Sequence, residues 1–391
     1  MSDKYNFDKL TDRRGTNSLK WDDCKNAELP LWVADMDFET APQIKAALEK
    51  RVSHGVFGYN IIPDSWYDAY ISWWEKRHHY KIEKDWLVFC TGVVPAISST
   101  VRKLTQPGDS VVILTPVYNI FFNSIINNGC RVCEVPLIYD EKAKISHDAY
   151  KIDFELLEEK LSDEKTKLLI FCNPQNPAGR IWDKEELARV GEICKKHGVT
   201  VLSDEIHCDI TDPGKEYVPF ASASETCKEI SITAIAPTKA FNIAGMQTAA
   251  VSIPDPELRK KIWRALNTDE VAEPNSFAIC VTEAAFNESG DWLDALKDYL
   301  LENKKLVSEY IREKVPSLKL VPSEATYLLW LDTTQTGMTG GELEKKLLNE
   351  AGVFLTAGGE YGKTGRNFIR MNIACPRARL KEALERIEKV L

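Results

Sequence analysis

The sequence predicts an α/β fold in which a mainly parallel sheet forms a large domain and a smaller α+β domain follows it. Two continuous apolar runs, Leu168–Cys172 and Val199–Ser203, each lead into a polar loop, as buried parallel strands do. Asp153 and Asp183 are predicted to cap crossover helices. With 391 residues and 44% hydrophobic composition, the chain can bury a large core and fill two domains.

The N-terminal stretch up to about Leu31 is polar and irregular, and we interpret it as an arm that packs on another part of the protein. An apolar segment, Trp32–Phe38, follows, and Thr40 is predicted to cap a helix that ends at Gly55. The later predicted helices are Ser65–Tyr80, one beginning near Val93, Leu258–Leu266, Ser276–Phe286, Asp291–Val315, Gly340–Gly352 and a final one from about Arg377. The predicted strands are Trp86–Cys90, Ser110–Thr115, Cys130–Leu137, Ile230–Ala236, Thr248–Ile253, two within Leu318–Leu331, and Asn367–Ile373.

These elements predict three segments. Residues 1–50 form the arm and part of the small domain, residues 51–287 form the large domain, and residues 288–391 form the C-terminal small domain. In the last segment the strands follow one another with few crossover helices, which is typical of an α+β unit.

The composition excludes several classes of partner. A net charge of -9 argues against nucleic acid or an anionic membrane, and favours a small soluble substrate. The N-terminal residues lack the apolar core of a signal peptide, and no apolar run is long enough to span a bilayer, so we expect a cytoplasmic protein. Cysteines such as Cys90 and Cys172 lie in apolar strands, and Cys130 and Cys133 lie in a predicted strand, so we expect packing rather than redox roles.

Lys239 is the first candidate for chemistry. It follows directly after the predicted strand Ile230–Ala236 and the break at Pro237. An amine held at the end of a buried strand among small apolar neighbours is partly neutral and can form an imine with a carbonyl compound. Lysines usually lie in water, so this interpretation depends on what surrounds Lys239.

Polar residues at two other strand ends favour the catalytic interpretation. Asn176 lies in the loop after Leu168–Cys172, and Asp204 follows Val199–Ser203. Since the carboxyl ends of parallel strands face the ligand crevice, we expect Lys239, Asn176 and Asp204 to meet there.

The motifs together resemble one enzyme family. The loop Asn173–Gly179, the pair Asp204 and His207, and Thr238-Lys239 occur in the order found in fold-type I pyridoxal phosphate enzymes. The narrower resemblance, to the cystathionine β-lyase (C-S lyase) group of the MalY/PatB type, rests on four segments that span nearly the whole chain: Trp32–Phe38, Thr91–Ile97, Ser203–His207 and Lys239–Gly245. It implies the aspartate aminotransferase-like fold, with a mainly parallel seven-stranded sheet, and a homodimer with active sites at the interface.

The resemblance also implies pyridoxal 5'-phosphate as cofactor and a role for each matching residue; no metal ligand is implied. Catalytic roles fall to Lys239, Tyr118 and Asp204; cofactor contacts to Lys239, Asp204, Asn176, His207, Tyr118, Gly92, Val93, Val94, Thr238 and, from the neighbouring subunit, Tyr59; and substrate contacts to Arg370, Asn176 and Asp35. The residues support some of these roles directly. Gly92 precedes a helix N-terminus that suits a phosphate, and Arg370, in an apolar strand, needs an anionic partner.

The implied reaction is an α,β-elimination that converts a cysteine-S-conjugate such as cystathionine into a thiol, pyruvate and ammonia. From cystathionine the thiol is homocysteine. Two alternatives stay open at this point: an aminotransferase of class I/II, which shares every catalytic residue named, and a non-catalytic regulatory protein with the same fold. The joint presence of Lys239, Asp204, Asn176 and Arg370 speaks against the latter.

The chain departs from the family pattern at two phosphate-binding positions. Ala236 stands where the family has a serine before the lysine, and Met246-Gln247 stands where many aminotransferases have an arginine. The phosphate is therefore expected to depend more on Gly92, Val93, Thr238 and Tyr59.

Overall fold

The computed structural model describes residues 4–24 and 27–391 and confirms the predicted α/β fold. Of the predicted N-terminal arm, residues 1–3 and 25–26 lie outside this part. Within the described residues the large sheet has seven strands, and Ala249–Ser252 runs antiparallel to the other six. In spatial order the strands are Leu87–Cys90, Ala249–Ser252, Ser231–Ile235, Thr200–Asp204, Thr166–Cys172, Ser110–Thr115 and Arg131–Pro136.

Helices cover both faces of this sheet. Successive side chains of a strand point to opposite faces, and because they are apolar on both, each face has to be buried. Ile113 packs on one side in a cluster that includes the helix Val93–Leu104, whereas the preceding Val112 packs on the other side in a cluster that includes the helix Lys184–Lys196. The strands are buried on both faces, which explains why their sequences are continuously apolar rather than alternating.

The longer helices lie close to their predicted positions, whereas five short ones were not predicted: Leu19–Asp22, Ile120–Ile126, Ser146–Ala149, Phe220–Ala223 and Glu225–Ile230. Within the described residues the helices are Leu19–Asp22, Pro42–His54, Asp64–His78, Val93–Leu104, Ile120–Ile126, Ser146–Ala149, Phe154–Leu161, Lys184–Lys196, Phe220–Ala223, Glu225–Ile230, Pro256–Thr268, Ala278–Glu288, Gly290–Lys314, Gly340–Ala351 and Arg377–Glu388. None of them is both long enough and apolar enough to cross a membrane.

Two predicted helix caps are confirmed and one is wrong. Asp153 and Asp183 each accept a hydrogen bond from a backbone N–H of the helix that they precede. Thr40 does not cap Pro42–His54; its hydroxyl donates to the Phe241 carbonyl oxygen at 2.6 Å. Proline at the first helical position has no N–H to satisfy, so this helix needs a side-chain cap less than most.

A second, smaller sheet is built mainly from the C-terminal part of the chain. Its four antiparallel strands are, in spatial order, Lys319–Leu320, Leu328–Asp332, Phe368–Asn372 and Thr356–Ala357. Near it, Leu29–Pro30 pairs in parallel with Val353–Phe354, which joins the N-terminal segment to this unit. A further short pair is formed by Ile138–Tyr139 and Tyr150–Lys151. The domain boundaries after residues 50 and 287 stay predictions.

Candidate active site

A cavity of about 200 Å³ lies at the carboxyl ends of the parallel strands, where an open α/β sheet binds its ligand. Nine of the predicted site residues line it: Lys239, Asp204, Asn176, His207, Tyr118, Gly92, Val93, Val94 and Thr238. Lys239, Asn176 and Asp204 meet here, as their positions at strand ends predicted, and the nine residues come from five separate stretches of sequence.

Lys239 lies in the turn that follows the strand Ser231–Ile235. Its Nζ donates to the Ala34 carbonyl oxygen at 2.8 Å. Burial is the main cause that lowers the pKa of Lys239 to about 8, and the Asp35 carboxylate partly opposes this shift. Near pH 8 a large fraction of the amine is neutral, and only the neutral amine can act as a nucleophile or a base.

Asp204 is the last residue of the strand Thr200–Asp204, where the sequence had suggested the start of a loop. Burial raises the pKa of this carboxyl to about 6, although it accepts a hydrogen bond from the Ile206 N–H at 3.2 Å and Lys239 lies nearby. The carboxylate therefore lacks a strong permanent partner. A cationic ring nitrogen placed in the cavity would stabilise its charged form.

His207 is a neutral, buried imidazole beside Asp204. Burial, assisted by the positive charges of Lys239 and Arg370, lowers the pKa of His207 to about 3. Its ring centre lies 6.2 Å from that of Tyr327, and its Nδ1 has no hydrogen-bond partner among the described residues. A buried nitrogen in this state is available to a ligand in the cavity.

Arg370 reaches the site from the strand Phe368–Asn372 of the small sheet. Its Nη2 donates to the Trp32 carbonyl oxygen at 2.8 Å and its Nη1 donates to Asn176 Oδ1 at 3.4 Å. Within the described residues its Nε has no hydrogen-bond partner. The guanidinium also lies 4.9 Å from the ring centre of Tyr361. Held only by neutral acceptors and a ring, it keeps its charge available for an anion.

A helix N-terminus also lines the cavity. The helix Val93–Leu104 begins after Gly92 with no side-chain cap, so the N–H groups of its first turn remain available. The aligned peptide dipoles give this end roughly half an elementary positive charge. A Cβ at Gly92 would lie 3.2 Å from Pro95 Cδ, a contact that glycine avoids.

Three predicted site residues do not line the cavity: Arg370, which contacts the lining residue Asn176, and Tyr59 and Asp35, which lie elsewhere. The Tyr59 side chain is fully exposed and does not line the cavity of its own chain. The Asp35 carboxylate forms a two-pronged ion pair with Arg13, at 2.7 and 3.0 Å, and acts on Lys239 only through its charge. The single chain tests neither the contact of Tyr59 with a neighbouring subunit nor the substrate contact of Asp35.

The sequence did not reveal two contributions to the site. The Ala34 carbonyl oxygen accepts hydrogen bonds from Lys239 Nζ and from the Tyr327 hydroxyl, the latter at 3.0 Å. A backbone carbonyl has no sequence signal, and Tyr327 lies within Leu318–Leu331, where the sequence predicts two strands and no role for this side chain. Gln247 also lines the cavity, although it was not named as a site residue. The sequence did indicate it, because Met246-Gln247 stands where many aminotransferases have a phosphate-binding arginine.

The lining residues fit pyridoxal phosphate by their chemistry. The helix N-terminus beside Gly92 suits the phosphate, the Asp204 carboxyl suits the pyridine nitrogen, the Asn176 amide suits the ring hydroxyl oxygen, and the Lys239 amine suits the aldehyde. Nδ1 of His207, unpartnered within the described chain, leaves polar capacity for a ligand at the same cavity.

Comparisons with known proteins agree with this fit. The model of the aminotransferase class I and II family matches residues 29–387. Cystathionine beta-lyase PatB of Bacillus subtilis is 41% identical over 393 residues, covering 99% of this chain and all of the relative. Protein MalY of Escherichia coli is 32% identical, covering 97% of each chain.

A solved structure is similar over the same length. The PLP-bound C-S lyase from Staphylococcus hominis superposes with a TM-score of 0.92 at 33% identity, covering 100% of this chain and 99% of that one. The likeness therefore includes both the fold and the sequence, and that relative is a PLP-bound enzyme.

Proposed function

We infer the activity from one premise, that the chain belongs to the aminotransferase class I and II family and is related over its whole length to PatB and MalY. It is a pyridoxal phosphate-dependent carbon-sulfur lyase of the cystathionine β-lyase type. Its substrates are small amino acids that carry a sulfur substituent on Cβ, and its products are a thiol, pyruvate and ammonia. The names of its full-length relatives favour the lyase over the aminotransferase alternative.

Bound pyridoxal phosphate supplies an electron sink that stabilises negative charge on the substrate Cα. The side chains of this protein supply the other groups that the reaction needs: a base for the Cα proton, a group that binds the substrate carboxylate, and groups that hold the ring. The roles that follow are proposals for individual residues.

We propose that Lys239 binds the cofactor covalently and, once displaced by the substrate, removes the Cα proton. A pKa of about 8 supports this role, because a base works best when its pKa lies near the working pH. The Ala34 carbonyl oxygen gives the free amine a resting hydrogen bond at 2.8 Å. This bond orients the amine without removing its lone pair.

The ring is held, in this proposal, by Asp204, Asn176, His207 and Tyr118. A charged Asp204 would keep the pyridine nitrogen protonated, and the Asn176 amide would donate to the ring hydroxyl oxygen. Tyr118 closes one wall of the cavity, and burial raises the pKa of its hydroxyl to about 12, so it stays protonated. The neutral His207 can donate or accept without adding charge.

The phosphate is held mainly through the main chain. We propose that N–H groups at Gly92, Val93 and Val94 bind it, and that Thr238 and Gln247, which line the same cavity, add side-chain hydrogen bonds. Because Gln247 is neutral, this site has one positive charge fewer than an arginine would give. The helix dipole and Tyr59 of a neighbouring subunit are the proposed compensation.

Arg370 binds the substrate α-carboxylate. A planar guanidinium matches a carboxylate with two parallel hydrogen bonds, and its present acceptors, Trp32 and Asn176, are neutral and readily exchanged. Asp35 lies near enough to influence Lys239 electrostatically, and we propose that it acts on the substrate ammonium in the same indirect way.

We also propose a homodimer with active sites at the interface. The stretch between residues 52 and 61 carries a set of exposed apolar side chains: Val52, Val56, Phe57, Tyr59 and Ile61. Such a concentration at one surface is typical of a protein contact. Sedimentation velocity of the purified protein tests it, and a monomer at micromolar concentration would contradict it.

A cytoplasmic location is proposed from the buried thiols of Cys90 and Cys172.

The observation that carries the catalytic assignment is the low-pKa amine of Lys239 in one cavity with Asp204. Borohydride reduction of the cofactor-loaded protein, followed by peptide mass spectrometry, tests it. The cofactor is expected on the peptide that contains Lys239, and Lys239→Ala should carry none. The exposed control Lys144→Ala should be labelled like the wild type; a label on another lysine would contradict the assignment.

A further inference from the structure

A second polar cluster lies outside the cofactor cavity. His78 ends the helix Asp64–His78, and Cys208 and Asp209 follow His207 in the chain. One nitrogen of His78, the Cys208 sulfur and one carboxylate oxygen of Asp209 all lie within 4.8 Å of one another. The three residues line a separate cavity of about 390 Å³.

The Asp209 carboxylate has one oxygen without a partner. Oδ1 accepts from Trp73 Nε1 at 2.8 Å and lies 3.0 Å from His78 Nε2. Oδ2 has no hydrogen-bond partner among the described residues, although Asp209 is only 5% exposed. An unpartnered buried carboxylate oxygen is costly, so its presence beside a cavity points to a missing ligand.

We propose that His78, Cys208 and Asp209 bind a divalent transition metal ion of the zinc class. Imidazole nitrogen, thiolate sulfur and carboxylate oxygen are the ligands that zinc takes, at about 2.0 to 2.3 Å. Such bonds bring the ligand atoms within about 3 to 4 Å of each other, so a contraction on the order of 1 Å from the present spacing suffices. The adjoining cavity provides entry and space for a water as fourth ligand.

The proposed ligands balance the charge of such an ion. Cys208 releases its proton to solvent on binding, so one thiolate and one carboxylate balance a divalent cation. The bond from Trp73 Nε1 to Asp209 Oδ1 then orients the carboxylate while Oδ2 binds the metal, as outer partners of metal ligands commonly do.

Four cationic side chains line the cavity, Arg77, Lys184, Lys215 and Lys297, and two of them lead to different expectations for a bound cation. Arg77 is paired with Asp294 at 2.6 and 3.0 Å, so its charge is largely compensated. Lys297 donates to the Thr211 hydroxyl at 3.1 Å and has no ion-pair partner within the described chain. Its ammonium therefore opposes the binding of a cation, and its removal should strengthen metal binding.

Cobalt(II) titration of the cofactor-loaded protein, without amino-acid substrate, tests the proposal. Four-coordinate cobalt has intense ligand-field bands that octahedral cobalt lacks, and a cobalt–thiolate bond adds a charge-transfer band. One equivalent should produce both, and zinc should remove them. Cys208→Ala should abolish the charge-transfer band, whereas Cys133→Ala, which removes a half-buried thiol elsewhere, should keep it.

Two further variants separate metal binding from misfolding. His78→Gln should weaken cobalt binding at least about 10-fold while the cofactor absorbance is retained. Lys297→Met should bind cobalt several-fold more tightly, a change that damage to the fold would not produce. A weak octahedral spectrum, a charge-transfer band that survives Cys208→Ala, or unchanged or weaker binding in Lys297→Met would each overturn the proposal.

Discussion

Lys239 and Asp204 carry opposite pKa shifts for the same physical reason. Burial disfavours the charged form of each, which lowers the pKa of the amine to about 8 and raises the pKa of the carboxyl to about 6. Between about pH 4 and 6 the folded protein without cofactor holds more protons at Asp204 than the unfolded chain, so its stability falls as pH rises. Asp204 would lose this cost beside the protonated ring nitrogen of a bound cofactor, whose positive charge would stabilise the carboxylate.

The substitution Asp204→Asn tests this cost. Asparagine is neutral, so the variant without cofactor should be more stable than the wild type by about 3 kcal/mol at pH 8, and by less than about 1 kcal/mol at pH 4. Urea unfolding at the two pH values measures the difference. The exposed Asp298→Asn is the control and should show no such pH dependence. Equal stability of Asp204→Asn and wild type at pH 8 would contradict the account.

Arg370→Lys tests the carboxylate contact. Lysine keeps the charge but cannot form two parallel hydrogen bonds, so kcat/KM for cystathionine should fall roughly 10²-fold or more. Cofactor absorbance should persist, because Arg370 does not line the cofactor cavity. Steady-state thiol release measures the first quantity and the absorbance spectrum the second. Undiminished kcat/KM would remove Arg370 from substrate binding.

At the scale of elements, a buried charge cluster fixes the segment that supplies the Ala34 carbonyl. Asp37, at 1% exposure, accepts from Arg13 at 2.9 Å and Arg379 at 3.0 Å, and its Oδ1 lies 3.2 Å from the Nζ of the fully buried Lys20. These contacts tie the N-terminal arm and the last helix to the segment between them. The cluster thereby fixes the position of the Ala34 carbonyl oxygen, which accepts the hydrogen bond from Lys239.

Asp37→Asn should destabilise the protein by about 3 to 5 kcal/mol, because it leaves the buried ammonium of Lys20 without its main counter-charge. Urea unfolding measures the loss. Glu39→Gln is the matched control: Glu39 also pairs with two lysines, Lys9 and Lys45, but at 40% side-chain exposure, so its removal should cost at most about 1 kcal/mol. A similar cost for both variants would refute the role of burial.

Most elements were predictable because local patterns coincide with tertiary burial. The strand Ser110–Thr115 has its predicted bounds, and the helix that begins at Val93 starts where Gly92 indicated. The Thr40 cap was wrong because the hydroxyl found a partner 201 residues away, which no local pattern encodes. The role of the Ala34 carbonyl oxygen was not predicted for the same reason, because its partner Lys239 is also distant in the sequence.

At the scale of the whole molecule, the site needs both sheets. Asn176 lies in the loop after the strand Thr166–Cys172 of the large sheet, Arg370 lies in a strand of the small sheet, and their side chains meet at 3.4 Å. A motion of one sheet relative to the other would therefore separate carboxylate binding from the cofactor cavity. The sequence predicted both residues, but only the fold explains why they are neighbours.

Mixing two inactive variants tests the proposed dimer. Tyr59→Ala retains Lys239, and Lys239→Ala retains Tyr59, so a mixed dimer has one complete site if Tyr59 serves the neighbouring subunit. Refolding the two together in equal amounts should restore about a quarter of the wild-type activity, since half of the dimers are mixed and each has one good site. Activity no higher than the mean of the separate variants would contradict the shared site.

The most direct test of the central claim is pyruvate and ammonia release from cystathionine by the purified, cofactor-loaded protein, with and without an added 2-oxo acid. The account predicts equal amounts of pyruvate, ammonia and free thiol without any oxo acid. If turnover required the oxo acid and a new amino acid accumulated instead, the protein would be an aminotransferase and the lyase assignment would be wrong.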